Sequence, residues 1–220
     1  ATMLHDGAAS GLTQGASHTQ SDPPVVERYA LLVRGQSLRW GCGEQGVFLQ
    51  RLCVLSQLEM IVKPLRIAGH SVDTFVFAFD HPAAGCNRSH ALALDELLPV
   101  GQEPMMSRSQ GGAFRQILNR FAAKFAAHTF DFLIFTRFDM RFLRPIESWR
   151  CRSADERGKL AVAGSCIPRS WCTYDMLHIV PSAHVQAFNR SIGGYGVPGS
   201  RTTACCFAEN CKLPYPGTGQ

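Results

Sequence analysis

Three stretches in the first third of the chain constrain its fold more than any others. Residues 29–33, YALLV, are a short apolar run followed by Gly35, the pattern of a buried strand. Residues 46–68, GVFLQRLCVLSQLEMIVKPLRIA, place Val47, Leu49, Leu52, Leu55, Leu58, Ile61 and Leu65 mostly three or four apart. That spacing predicts an amphipathic helix with this stripe facing the core, ended or kinked at Pro64 and stopped by Gly69. Residues 72–79, VDTFVFAF, read as a second strand that ends on Asp80. A strand, a helix and a strand joined this tightly make a βαβ unit, and such units build parallel sheets.

The remainder continues the alternation. Residues 113–127, AFRQILNRFAAKFAA, carry Phe114, Ile117, Leu118, Phe121 and Phe125 on one helical stripe. Residues 130–142, FDFLIFTRFDMRF, hold a third strand over Asp131–Thr136. KLAVAGSCI (159–167) and YDMLHIVP (174–181) read as the fourth and fifth, and residues 182–192 as a closing helix. ALALDELLPV (91–100) suits a short helix and an edge strand equally. The expected fold is therefore α/β in three layers, with helices on both faces of a mostly parallel sheet. One domain is expected over residues 27–192. Residues 1–26 have the small, polar composition of a disordered leader, and residues 193–220 are rich in Gly, Pro and Thr and read as loop.

Several function classes drop out. The net charge is +5, carried mostly by Arg, with Lys only at 63, 124, 159 and 212. Arginine forks suit phosphate and carboxylate groups, but there is no dense basic run and no nucleic-acid-binding signature, so nucleic acid is not an expected partner. No stretch approaches the ~18 consecutive apolar residues of a membrane span, so none is expected within this chain. G-x-S-x-G, H-E-x-x-H and P-loop patterns are missing, and Gly35, Gly41 and Gly43 have the wrong spacing for a dinucleotide fingerprint. The nine cysteines include no C-x-x-C pair, which argues against a structural zinc site, and their pairing stays open. Together with two sequons, Asn87-Arg88-Ser89 and Asn189-Arg190-Ser191, they point to an oxidising secretory lumen such as the Golgi, with the cytoplasm as the alternative.

Ligands of open α/β sheets bind beyond the carboxyl ends of the strands. That rule selects the loop Arg34–Arg39, the end of the second strand at Asp80-His81, and the end of the third at Arg137-Phe138-Asp139. Arg137 and Asp139 stand two apart and point to one side of an extended chain. Asp139 is an oxygen ligand of the kind that Mg²⁺ and Mn²⁺ prefer, and Arg137 is placed to cover phosphate charge. A surface ion pair is the simpler reading of the same two residues. Asp175 is a candidate general base. His178 reads as a core histidine, and Trp40, Trp149 and Trp171 as packing residues, with Trp171 the best placed to stack on a sugar.

SQGGAFRQILNRFAAKFAAHTFDFLIFTRFDMRFLRPI resembles a segment of GT-A-type glycosyltransferase-like proteins, in which a helix precedes a strand of the pattern YD-φ-φ-φ-R-x-R-x-D-φ, φ being apolar. Asp131 matches the aspartate that opens the strand, Arg137 the arginine and Asp139 the metal-binding aspartate. YALLVRGQSLR is similar to the first strand and G-Q-x-R turn of these enzymes, VDTFVFAFD to the second strand, and YDMLHIVPSAHVQAF to the strand and helix behind the acceptor pocket. The resemblance spans about residues 28–192. It implies a nucleotide-diphospho-sugar-transferase-like sheet and transfer of a sugar from a nucleotide-sugar donor to a glycan or protein acceptor. Asp139 would hold Mn²⁺ or Mg²⁺ against the diphosphate. Gly35, Gln36, Arg39, Asp80 and Arg137 would hold the nucleotide, and Asp175 would activate the acceptor. The chain departs from the family's D-x-D at one point: Arg137 stands where the first acid would be. A non-catalytic sugar- or protein-binding domain on the same scaffold is the alternative.

Overall fold

The apolar runs do become adjacent parallel strands, and a polar helix face organises one end of them. In the computed structural model, the structure describes residues 25–79, 86–105, 110–125, 129–149, 158–163, 177–191, 203–206 and 211–212. The strands are β1 (Arg28–Gln36), β2 (Ser71–Phe79), β3 (Gly101–Pro104), β4 (Phe132–Arg137), β5 (Arg141–Phe142), β6 (Ala161–Ala163), β7 (Leu177–Pro181), β8 (Thr203–Cys206) and β9 (Cys211–Lys212). The helices are α1 (Glu44–Gln57), α2 (Lys63–Ile67), α3 (Asn87–Asp95), α4 (Gln110–Phe125) and α5 (Val185–Ser191).

The main sheet has the order β3-β2-β1-β4-β7-β6-β8, and β5 pairs with β9 apart from it. Strands β1, β2, β3 and β4 run parallel, and β7 runs against β4 and β6. The period of two divides the side chains between the faces. Tyr29, Leu31 and Val33 of β1 and Ile134 of β4 pack with Val54, Ile61 and Leu65 of the α1–α2 arm. Ala30, Leu32, Leu133 and Phe135 pack with Phe114, Ile117 and Phe121 of α4 and Phe188 of α5. Helices therefore cover both faces of a mostly parallel sheet. No helix among the described residues is long and apolar enough to cross a membrane.

Some expectations need correction. The helix expected to end or kink at Pro64 instead changes type just before it: five residues of π-helix, Leu58–Val62, join α1 to α2, and Pro64 lies in the first turn of α2. A wider turn accommodates a proline that offers no amide hydrogen. The stop lies where expected. Gly69 has φ +87°, and the amides of Gly69 and His70 close on the carbonyls of Arg66 and Leu65, a Schellman end. ALALD resolves as helix, within α3, and the unforeseen edge strand β3 ends at Pro104, a residue that edges tolerate. The C-terminal stretch read as loop contributes β8 and β9. The first 24 residues lie outside those described.

Two features give the fold testable energetics. A disulfide, Cys42–Cys86, closes 44 residues of sequence between the turn before α1 and the start of α3. By loop-closure entropy it stabilises the fold by roughly 4 kcal/mol. Replacing both cysteines with serine should lower the stability read from urea denaturation by about 3–4 kcal/mol, and reductant should lower that of the wild type by at least as much.

His178 of β7 is fully buried between Phe114 and Phe188, and neither ring nitrogen has a hydrogen-bond partner among the described residues. Burial, then the charge of Arg34, pushes its pKa down to about 3. The unfolded chain takes up that proton near pH 6.5, so the stabilising contribution is complete above about pH 6.5 and drains as the pH falls toward 3. A His178→Leu variant should lack this component, flattening the fall of stability between about pH 6 and 4 by up to roughly 1.4 kcal/mol per unit.

Candidate functional site

The chain leaves β1 on one side toward β2, while β4 lies on its other side, so the carboxyl ends of β1 and β4 flank the point where the strand order reverses. That is where open α/β sheets form a crevice for ligands. Arg34 and Arg137 are register partners across it. The turn that follows β1 needs unusual backbone. Gly35 has φ +107° with open space where a Cβ would lie, so glycine is present there for conformation and not for room. Leu38 has φ +52°, a left-handed conformation that a leucine adopts at a cost, and its side chain is fully buried.

Helix α1 holds this turn against the one after β4. Gln50 Oε1 accepts the Leu38 amide at 2.8 Å, and Gln50 Nε2 donates to the Phe138 carbonyl at 2.9 Å. One turn-pair further along, Gln57 Nε2 donates to the Arg137 carbonyl at 2.9 Å. Ser56 Oγ accepts the amide of Phe142. Close approach is secured by Gly46, where any Cβ would fall 2.0 Å from the Gly41 carbonyl oxygen. The buried line of α1 is therefore Gly46, Gln50, Cys53, Val54, Ser56 and Gln57, not the expected leucine stripe. Val47, Leu49 and Leu52 are half-buried, and Leu55 and Phe48 are exposed. Turn carbonyls and amides demanded partners, and burying leucines over them would have left those groups unmet.

On this support sits an ion cluster. Arg137 grips Asp139 with two donors: Nε lies 2.7 Å from Oδ1, and Nη2 reaches Oδ2. Arg39 crosses from the other turn to place Nη1 2.9 Å from the same Oδ2. The Asp139 side chain is 5% exposed, that of Arg137 17% and that of Arg39 55%. Burial would raise the Asp139 pKa, but the hydrogen bonds and charges of Arg137, then of Arg39, outweigh it and hold the carboxyl below its usual range. Next to Arg137 in the sheet, the buried Arg34 guanidinium lies 4.0 Å from the centre of the Phe114 ring. Behind the cluster Cys53 is inert: burial, then the Asp139 charge, pushes its pKa up to about 12.

Five residues singled out from the sequence thus meet at one mouth: Gly35, Gln36, Arg39, Arg137 and Asp139. Asp80, one residue past β2, and Asp175 lie outside the described residues, as does Trp171. Asp131 stands at the opposite end of β4, where its carboxylate accepts the Arg28 amide at 2.8 Å, a structural task. Trp149 is buried and stacked on Phe142, and His178 is a core residue. The sequon asparagine Asn189 faces α4, 3.4 Å from Asn119, within a helix. Sequence reasoning missed Gln50 and Gln57. Their one signal was two glutamines seven apart, hence on one side of the helix.

A divalent ion does not fit Asp139 as it stands. Both carboxylate oxygens already accept from guanidinium groups. Among the described residues, no group of three His, Cys, Asp or Glu is placed to share an ion. A dication about 4 Å from the Arg137 charge would meet repulsion on the order of 8 kcal/mol at an effective dielectric constant of about 20.

Neither a protein-family model nor a curated protein matches the chain.

The Gln50 bridge has a measurable weight. Gln50→Met keeps the volume but leaves the Leu38 amide and the Phe138 carbonyl buried without partners. Urea denaturation should show a loss of about 2–4 kcal/mol, well beyond that of an exposed α1 substitution such as Arg51→Ala.

Proposed function

We propose that this chain is a glycosyltransferase-like protein of GT-A type that binds a nucleotide-sugar through its diphosphate at the mouth between β1 and β4. One observation carries the reading: Arg39, from the turn after β1, and Arg137, the last residue of β4, converge on Asp139 at the switch point of a mostly parallel α/β sheet. Sheets of this kind take nucleotides there, and arginine forks match phosphate oxygens. Gly35 and Gln36 end β1 beside the same mouth, next to the end of β2, where the nucleoside would lie. In transfer, the guanidinium groups would stabilise the negative charge that builds on the departing diphosphate. Asp80 would fix the nucleoside and Asp175 would activate the acceptor hydroxyl. The Cys42–Cys86 bond supports an oxidising, secretory lumen as the working compartment.

A non-catalytic binding domain is the second reading, and a specific observation favours it. The one carboxylate among the described residues at the mouth, Asp139, is engaged by two arginines and is not available as a base.

Titration calorimetry with UDP- and GDP-sugars, followed by an assay for release of UDP or GDP in the presence of mixed glycan acceptors, separates the two. Micromolar binding of a nucleotide-sugar with acceptor-dependent release is the expected result. Binding without release selects the non-catalytic domain, and no binding of either donor class ends the nucleotide reading.

A further inference from the structure

Resting on the reading of this mouth as a diphosphate site, we infer that it takes the diphosphate without a divalent cation. Arg137 and Arg39 supply the positive charge, and Asp139 is a built-in counterion that holds the pair in place until the anion arrives. The two segments that build the mouth, residues 34–41 and 137–142, contain Arg34, Arg39, Arg137 and Arg141 against a single acid, Asp139. Two segments this basic attract an anion, and a metal beside Arg137 would add charge of the same sign as the guanidinium.

The exposure gradient gives the order of events. Arg39 is the most exposed member and touches Asp139 through one nitrogen. An anion arriving from solvent meets it first, and an ion pair this exposed is held weakly. Arg137 is held by two donors and lies deeper, and Gln57 secures its backbone carbonyl. A phosphate presents paired oxygens with the same fork geometry as a carboxylate, so it can replace Oδ2 of Asp139 on Arg39 while Arg137 keeps its own grip. Asp139 is then a positioning residue. It sets where both guanidinium groups point, and no ligand atom need touch it.

Calorimetric titration of the full chain with UDP, GDP and inorganic pyrophosphate, first in EDTA and then in excess Mn²⁺ or Mg²⁺, tests this. The expected result is nucleotide binding in EDTA within about threefold of that with metal, weakened roughly tenfold or more by Arg39→Ala. Asp139→Asn should retain or tighten that binding in EDTA and steepen its dependence on salt, because it removes the internal counterion. A metal ligand at position 139 demands the opposite. Binding seen only with Mn²⁺ or Mg²⁺, or unchanged by Arg39→Ala, overturns the inference while the nucleotide site stands. Absence of UDP and GDP binding in both conditions overturns the nucleotide reading and the inference together. Pyrophosphate binding in EDTA as tightly as UDP and GDP supports the metal-free anion site and removes its nucleoside. The Arg39→Ala arm stays decisive if Asp139→Asn folds poorly, since Arg39 is largely exposed and its loss leaves the core intact.

Discussion

One buried amide governs the geometry of the mouth. Gln50 spends its oxygen on the Leu38 amide and its nitrogen on the Phe138 carbonyl, and so ties together two loops 100 residues apart in their key side chains, Arg39 and Asp139. The interaction is local to α1 but its effect is not. Leu38 occupies a left-handed conformation that a leucine resists, and the Gln50 bond is one of the contacts that hold it there. With Leu38 fixed, Arg39 leaves the turn in the direction of Asp139. Without it, the distance from Arg39 to Asp139 would depend on two loops moving independently.

The bridge also explains why the helix looks inverted. A helix over a sheet normally turns its most apolar stripe inward. Here the inward line of α1 contains Gln50, Ser56 and Gln57, while Phe48 and Leu55 face outward. Leaving two large apolar side chains at the surface forfeits hydrophobic stabilisation of about 1.5–3 kcal/mol each. Leaving the carbonyls of residues 137, 138 and 140 and the amide of 38 without partners inside the protein would cost a comparable amount for each group. Four such groups outweigh two side chains, so the polar line goes in. Only the later part of the arm, at Ile61 and Leu65, returns to the apolar stripe, where it covers strands and not turns.

This balance shows what the sequence makes legible and what it hides. Continuous apolar runs such as FLIF and FVFAF identify parallel central strands because burial on both faces leaves no room for alternation. The α4 stripe through Phe114, Ile117 and Phe121 is legible because it packs on an apolar cluster of β1, β4 and α5 side chains, with Arg34 and His178 against Phe114. The α1 orientation was not, because it is set by backbone groups of loops distant in the chain, and those carry no side-chain pattern. The strand ends could be named as a ligand site from sheet topology alone. That Arg39 and Arg137 would share one oxygen of Asp139 could not, since it depends on the Leu38 turn. Short strands such as β3 and β9 escaped notice because four residues or fewer give too little periodicity.

The exchange of Asp139 for an incoming phosphate also bears on selectivity. A cluster with two arginines and one carboxylate carries one net positive charge, so a monoanion neutralises it and a diphosphate more than neutralises it. Arg34, the register partner of Arg137, is buried and stacked on Phe114, and offers no exposed contact. On the proposed reading, exposed Arg39 and deeper Arg137 would together favour a dianion over a monoanion before any contact to a base or a sugar is made.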